Sequence, residues 1–435
     1  MTHVVSSWGR LARIPHQWAP LADRVQAPIV IGRTQGAGLA FGNGRSYGDV
    51  ALNAGGTLWA TRGLDRFISF DADHGILECE AGTLLKDVID VALPRGWFLP
   101  VVPGTRFVTV GGAIANDVHG KGHHRTGSFG DHVEQLVLLR TDGTRLECGP
   151  LQQADWFAAT VGGLGLTGVI ESARLRLRRV SGPWLDTQTL SFDSLDGFFE
   201  LSGSSAHEWE YTVAWIDCAR NRDGATRGIF FRGNHAAIDE RAAVRRPRTF
   251  PFTPPISLVN RLSVRLFNQL YFHAHRRRRA YARQHYLPFF FPLDNLLEWN
   301  RIYGPRGFYQ YQCVVPAATQ RDAVRELLRC ISASRSGSFL AVLKMFGDRT
   351  APGLLSFPMP GTTLALDFPN EGERTLKLFD ELNAVVLEVG GRLYPAKDAC
   401  MPRQMFERGY PRLAEFLAYR DPGIASDMSR RLLAA

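Results

Sequence analysis

The chain has 435 residues, 45% of them hydrophobic and 21% charged, which excludes a fibrous or disordered polymer and exceeds what one hydrophobic core ordinarily organises, so two domains are expected. Lysine and arginine total 51 against 42 acidic residues, a net charge of +9 that biases the surface toward phosphorylated small molecules, lipid headgroups or nucleic acid. Six cysteines (Cys79, Cys148, Cys218, Cys313, Cys330 and Cys400) form no Cys-x-x-Cys pair, which argues against a zinc knuckle or a redox dithiol and suits structural thiols in a reducing compartment.

The N-terminal stretch MTHVVSSWGRLARIPHQWAP carries Arg10, Arg13 and two tryptophans where a signal peptide needs an apolar centre, so a cytoplasmic protein is expected. No run approaches the roughly 20 apolar residues of a spanning helix. The nearest, YLPFFFPLDNLLEW, is broken by prolines, so any membrane contact is expected to be peripheral, on the inner face of the plasma membrane.

From Val30 to Ile170 short extended stretches alternate with glycine-marked turns. GTLWAT, RFISF and GILECEAG read as strands, and TLLKDVIDVAL carries apolar residues at helical spacing. FGNGRSYGD precedes them, at 41 to 49, with three glycines within seven positions and Arg45 as a charged donor, the composition of a backbone nest for an anion. It misses the dinucleotide fingerprint by one residue, and no clear strand-helix pair frames it. Two further glycine stretches, PGTRFVTVGGAIANDVHG and VGGLGLTGVI, follow in order and together suit a long, doubly phosphorylated cofactor.

From Arg174 to Gly390 longer strands (EYTVAWIDC, GFYQYQCVVP, GTTLALDFP) are separated by helices such as RDAVRELLRCIS, the texture of a separate antiparallel-sheet domain. A basic insert, AAVRRPRTFPFTPP, leads into LFNQLYFHAHRRRRAYARQHY, expected to be a helix with a stripe of Arg276 to Arg279 and Arg283. After Arg392 the chain is compact and charged and ends in a helical tail.

GNGRSYGD, PGT-x5-GGAIA-x-DVHGK-x-HH and ATVGG-x-GLTG resemble the flavin-binding half of the vanillyl-alcohol-oxidase superfamily. AWIDC, EWNRIYGPRGFYQYQ, LKMFG, LSFPMPG, LDFP, GGRLYPAKD and ASDM-x-RR resemble its decaprenylphosphoryl-β-D-ribose 2'-oxidase branch, across nearly the whole chain. The resemblance implies an α+β fold: a PCMH-type FAD-binding domain of two α+β subdomains over residues 1–178, with 392–435 returning to it, and an antiparallel-sheet cap domain over 179–391. It also implies FAD contacts from Gly42, Asn43, Gly44, Arg45, Ser46, Tyr47 and Gly48, from Gly104, from Thr109, Gly111 and Gly112, from Asn116, Val118 and His119, and from Ile170 and Tyr394. Superfamily members that attach flavin covalently often carry a histidine where this chain has Arg45, so non-covalent FAD is expected. Asn116 and Ala365 stand where mycobacterial members have cysteines, the second an active-site cysteine, so an inhibitor that traps that thiol is expected to lose its anchor.

Oxidising a secondary alcohol needs a proton acceptor, donors that hold the sugar and a two-electron acceptor. Lys397 is the leading candidate for the hydroxyl contact, because a desolvated lysine loses proton affinity; the plain alternative is an ion pair with Asp398. His119 and Tyr47 are expected beside it. Trp215, Gln310, Gln312 and Lys344 are the family-matched substrate residues, Ala365 lies among them, and Lys121 either joins the site or faces solvent. His119, His123 and His124 lack the carboxylate or cysteine partners of a zinc set, and adjacent residues on an extended chain point apart, so no metal is expected.

The implied activity is oxidation of the ribose 2'-hydroxyl of a polyprenylphosphoryl-β-D-ribofuranose, with a short-chain dehydrogenase/reductase as partner completing epimerisation to the arabinose donor of the cell wall. An aldonolactone or alditol oxidase acting on a free polyol is the alternative. A nucleic-acid binder would explain arginines interleaved with Tyr271, Phe272 and Tyr281 but leaves the glycine stretches unused, so no nucleic acid is expected.

Overall fold

The computed structural model describes residues 2–219, 226–238, 240, 247–276 and 281–433. The fold is α+β. Its first sheet orders Thr2–Val5, Ile14–Pro20, Thr57–Ala60 and Gly38–Phe41, with the last two interfaces parallel. A second, antiparallel sheet orders Phe67–Asp71, Ile76–Glu80, Val169–Arg176, Val133–Leu139 and Arg145–Cys148. The alternation read in GILECEAG is the reason it pairs there: Leu77 and Cys79 are fully buried, on the face that packs on the Leu85–Ala92 helix. That helix buries Leu85, Val88, Ile89 and Ala92, one stripe at helical spacing.

The largest sheet has eight strands, ordered Tyr281–His285, Trp184–Phe192, Gly228–His235, Tyr211–Ile216, Ala341–Phe346, Gly361–Pro369, Phe308–Pro316 and Arg392–Leu393, each antiparallel to its neighbours. One face is closed by the Gln320–Ser334 and Glu373–Glu388 helices, against which Tyr311, Cys313 and Val315 pack. The period of two along a strand then turns Gln310 and Gln312 to the other face.

The chain's end returns to its beginning. The Gly38 amide donates to the Gly423 carbonyl at 2.9 Å, the Ala54 amide to Asp427 at 2.9 Å, and Arg431 pairs with Asp49 at 2.8 Å. One apolar core accordingly runs from Leu39 and Trp59 through Leu364 to Met428.

Two local expectations change. The helix read through 266–286 is Arg261–Arg276 and stops there, because residues 281–285 pair as an edge strand with Trp184–Gln188. Arg277, Arg278 and Arg279 lie outside the described residues, and Arg283 pairs with Asp186 at 2.7 Å, so a helical stripe through Arg283 does not form. His123 and His124 begin a short helix, His123–Thr126, instead of lying on extended chain. Their rings diverge, His123 packing on Phe346 and His124 meeting the Trp209 carbonyl at 2.9 Å.

Candidate active site

A cavity of about 510 Å³ lies between the glycine stretches and the open face of the eight-stranded sheet, within the 300 to 1,000 Å³ range of small-molecule sites. Gly42, Asn43, Gly44, Arg45, Ser46 and Tyr47 form one wall, and Gly104, Thr109, Gly111, Gly112, Asn116, Val118 and His119 the floor. Ile170 and Tyr394 close the ends. The facing sheet contributes Gln310, Gln312, Lys344 and Ala365, with Lys121 and Lys397 from adjoining loops.

Steric demand accounts for two of the glycines. A Cβ on Gly42 would sit 2.5 Å from Thr109 Oγ1, the oxygen that caps the Val110–Ala115 helix by accepting from the Gly112 amide. A Cβ on Gly48 would sit 1.5 Å from the Asp398 carbonyl. Gly48 thus joins the first wall to the Lys397 loop without lining the cavity itself.

The floor is held from below by Asp117, buried at a positive φ of 39°. Its carboxylate accepts from Ser128 Oγ (2.8 Å), the Gly130 amide (2.9 Å) and Ser356 Oγ (2.5 Å), and burial raises its pKa to about 6. Asn116 and His119 flank this staple. His119 lies among the Phe346, Phe357 and Tyr394 rings at 5.0, 5.4 and 5.2 Å. Its Nε2 accepts from the Gln312 carboxamide at 2.9 Å, which leaves the ring proton on Nδ1. Burial, then the nearby Lys344, holds its pKa well below the ordinary value, so the ring is neutral.

Three lysines converge on the cavity, each with lowered proton affinity from burial: Lys121 to about 8, Lys344 further, and Lys397 to about 8. Lys121 Nζ donates to the Phe290 carbonyl at 3.1 Å and Lys344 Nζ to the Gly120 carbonyl at 2.5 Å. Lys397 Nζ rests 3.8 Å from the centre of the Tyr47 ring. The ion pair with Asp398 does not form: Asp398 turns to Arg431 at 3.0 Å and accepts from the Cys400 and Met401 amides.

Trp215 is not brought to the cavity. Its ring packs 4.7 Å from Tyr271 under the Arg261–Arg276 helix, and its Nε1 donates to the Phe339 carbonyl at 2.9 Å; Val213, two residues earlier, lines the wall. Sequence reasoning missed Asp367, fully buried and opposite Gln310 in the strand register. The LDFP motif contained it, but its neighbour is set by a cross-strand pairing that no local pattern reveals.

The polar atoms suit a flavin dinucleotide. Arg45 Nε, Asn116 Oδ1 and His119 Nδ1 are buried without protein partners along the cavity, donors and acceptors of the kind an isoalloxazine edge and a pyrophosphate engage. A family model described as FAD binding domain matches residues 24–149, which supply the first wall and most of the floor, and the molecule is an FAD-dependent oxidoreductase. A decaprenylphosphoryl-beta-D-ribose oxidase of Mycolicibacterium smegmatis is 38% identical over 99% of this chain and 97% of its own length. The chain belongs to that oxidase's family. An uncharacterised Streptomyces coelicolor protein is 33% identical over 80% of the chain and 99% of its own length. Mouse L-gulonolactone oxidase is 33% identical over 31% of the chain and 30% of its own.

Proposed function

We infer that this protein oxidises the ribose 2'-hydroxyl of a polyprenylphosphoryl-β-D-ribofuranose to the 2'-keto sugar. The reach of the similarity carries the substrate class: it runs with the mycobacterial oxidase over 99% of the chain, cap strands included, whereas the lactone oxidase matches over only 135 residues. We assign residues 1–178 and 392–435 to the FAD-binding domain and 179–391 to the cap.

Bound non-covalently, FAD supplies the two-electron acceptor for the carbon-bound hydrogen. Gly42 to Tyr47, Gly104, Thr109, Gly111, Gly112, Asn116, Val118 and His119 would hold it, with Ile170 and Tyr394. Lys397 takes the hydroxyl proton: its amine is uncharged in an appreciable fraction near neutral pH, and the Tyr47 ring fixes its position. Gln310 donates to the sugar, and Gln312, whose amide hydrogens go to His119 and Thr363, orients neutral His119 and offers the sugar its carboxamide oxygen. Lys344 and Lys121, costly to charge where they are buried, gain proton affinity when the substrate phosphate binds, so the anion is matched there. The ketone product requires a reductase to complete epimerisation, and a short-chain reductase is the proposed partner.

Peripheral bilayer contact is part of this reading. The Arg261–Arg276 helix buries only Val264, Asn268 and Phe272 fully, and presents Leu262, Leu266 and Leu270 outward at 78, 59 and 62% exposure. Between Glu240 and Asp294 the sequence has eleven arginines and no acidic residue. Among the described residues no helix is long and apolar enough to cross a membrane. An apolar face with arginines and no acids suits an anionic surface, each basic group adding about 1 kcal/mol of attraction; Arg248 and Thr249 of the same basic segment pair with Leu296 and Leu297, which line the cavity.

The test of the reaction is anaerobic: a short-chain polyprenylphosphoryl ribofuranose is added while the flavin band is followed. Bleaching is expected. A band that persists there but bleaches with gulonolactone or a free alditol overturns the substrate assignment.

A further inference from the structure

One buried acid takes no part in the scheme above. Asp367 is fully buried on the Gly361–Pro369 strand, and the register sets it opposite Gln310. Its Oδ1 accepts from Gln310 Nε2 at 2.5 Å, while its Oδ2 has no partner. The backbone amide donates to Ser338 Oγ, so the strand is anchored independently of the carboxylate.

The charged and titratable groups around it belong to the reaction site. Asp367 raises the proton affinity of Lys397, opposing the effect of burial, and Lys397 in turn favours ionised Asp367. Tyr47, under the Lys397 ammonium, and Tyr303, whose hydroxyl is also unpartnered, both feel the Asp367 charge. His119 lies in the field of Lys397 on the floor side, and Arg45 and Asp294 act on the far side of Tyr47. Asp398, next to Lys397 in the chain, is occupied by Arg431. A lone buried carboxylate with one oxygen unpartnered is costly unless nearby groups compensate it; here they are the residues expected to handle the substrate.

We propose that Asp367 is a positioning residue for proton removal: it holds the Gln310 carboxamide at the cavity wall and supplies the negative field that governs proton uptake by Lys397. The proposal rests on the functional reading given above. In the step concerned, the substrate O–H bond breaks and its proton joins the Lys397 amine. The hydrogen on the same carbon leaves with its electron pair to the two-electron acceptor, and the C=O bond forms. Asp367 gains and loses nothing covalently. Its charge stabilises the ammonium as it appears and sets the acceptor's operating range at a higher pH than burial alone would.

Removing the charge makes the Lys397 ammonium less favourable, so the pH at which the rate falls off on the acidic side moves down. Anaerobic stopped-flow reduction of the FAD-loaded enzyme by the short-chain substrate, at saturation and across pH, reads this directly. D367N is expected to lower the plateau and to shift the acidic limb down by roughly one pH unit. Q310L, which deprives ionised Asp367 of its donor, is expected to shift the limb in the same direction by less. A limb that stays at the wild-type pH in D367N, with only the plateau reduced, overturns the proposal and leaves Asp367 a structural residue. If D367N does not retain flavin, the limb of Q310L decides in the same way. Wild-type enzyme that fails to bleach overturns the functional reading instead, a result distinct from bleaching with an unmoved limb.

Discussion

Lys397 shows how a residue's role follows from what surrounds it. A lysine in water is protonated far above neutrality, but burial against Tyr47 lowers this one to about 8. The neutral amine is the form that accepts a proton, so flavin reduction is expected to rise with pH through about 8 and to level off above. Replacing Lys397 by methionine keeps the volume and removes the acceptor. Reduction by the substrate is expected to slow at least 10²-fold while the visible flavin spectrum of the resting enzyme is retained; a smaller loss in stopped-flow reduction would move the acceptor role elsewhere. Ala365 stands on the cavity wall. Among the described residues lining the cavity there is no cysteine, so a thiol-trapping electrophile activated at the flavin is expected to leave the intact protein mass unchanged, and Ala365→Cys is expected to acquire the adduct.

The floor segment and the outward-facing helix are held by opposite means. The turn from Asn116 to His119 depends on a buried carboxylate with three donors. Asp117→Ala leaves Ser128, Ser356 and the Gly130 amide without their acceptor, and a loss of about 3 kcal/mol in chemical denaturation is expected, along with weakened flavin retention. The Arg261–Arg276 helix is built the opposite way, with polar Asn268 inside, donating to Asp217 at 2.8 Å, and leucines outside. Wild-type protein is expected to co-sediment with phosphatidylglycerol vesicles at low salt and not with phosphatidylcholine vesicles, and the pair L266D and L270D together to abolish this without changing reduction by a soluble short-chain substrate. Equal binding by the double variant would remove the helix from the interface.

For the whole molecule, the cavity joins parts far apart in sequence: residues 42 to 47, 104 to 119, 310 to 365 and 394 to 397 meet around one space. A ligand that touches all of them binds only the folded chain, so FAD at 100 times its dissociation constant is expected to add about 2.7 kcal/mol of stability. Thermal melts of apoprotein with increasing FAD should show a rising midpoint that tracks ligand concentration. An unchanged midpoint would mean that FAD does not bind across the assembled cavity.

Local chemistry is written in short stretches of the chain. The three glycine stretches, the GTLWAT, GILECEAG and GFYQYQCVVP strands, the Leu85–Ala92 helix and the family-specific motifs around Lys397 were all legible, because each depends on residues close in the chain: turn glycines, period-two alternation and helical spacing. Tertiary structure alone decided which of those residues meet. It put Trp215 under a helix, through a contact with Tyr271 more than fifty positions away. It gave Asp398 to Arg431 in the C-terminal tail, which left Lys397 without that partner, and it paired Asp367 with Gln310 through sheet register. Register and long-range ion pairs are set by how whole strands and helices pack, so side chains within a few residues of one another in sequence, such as Val213 and Trp215, end in different environments.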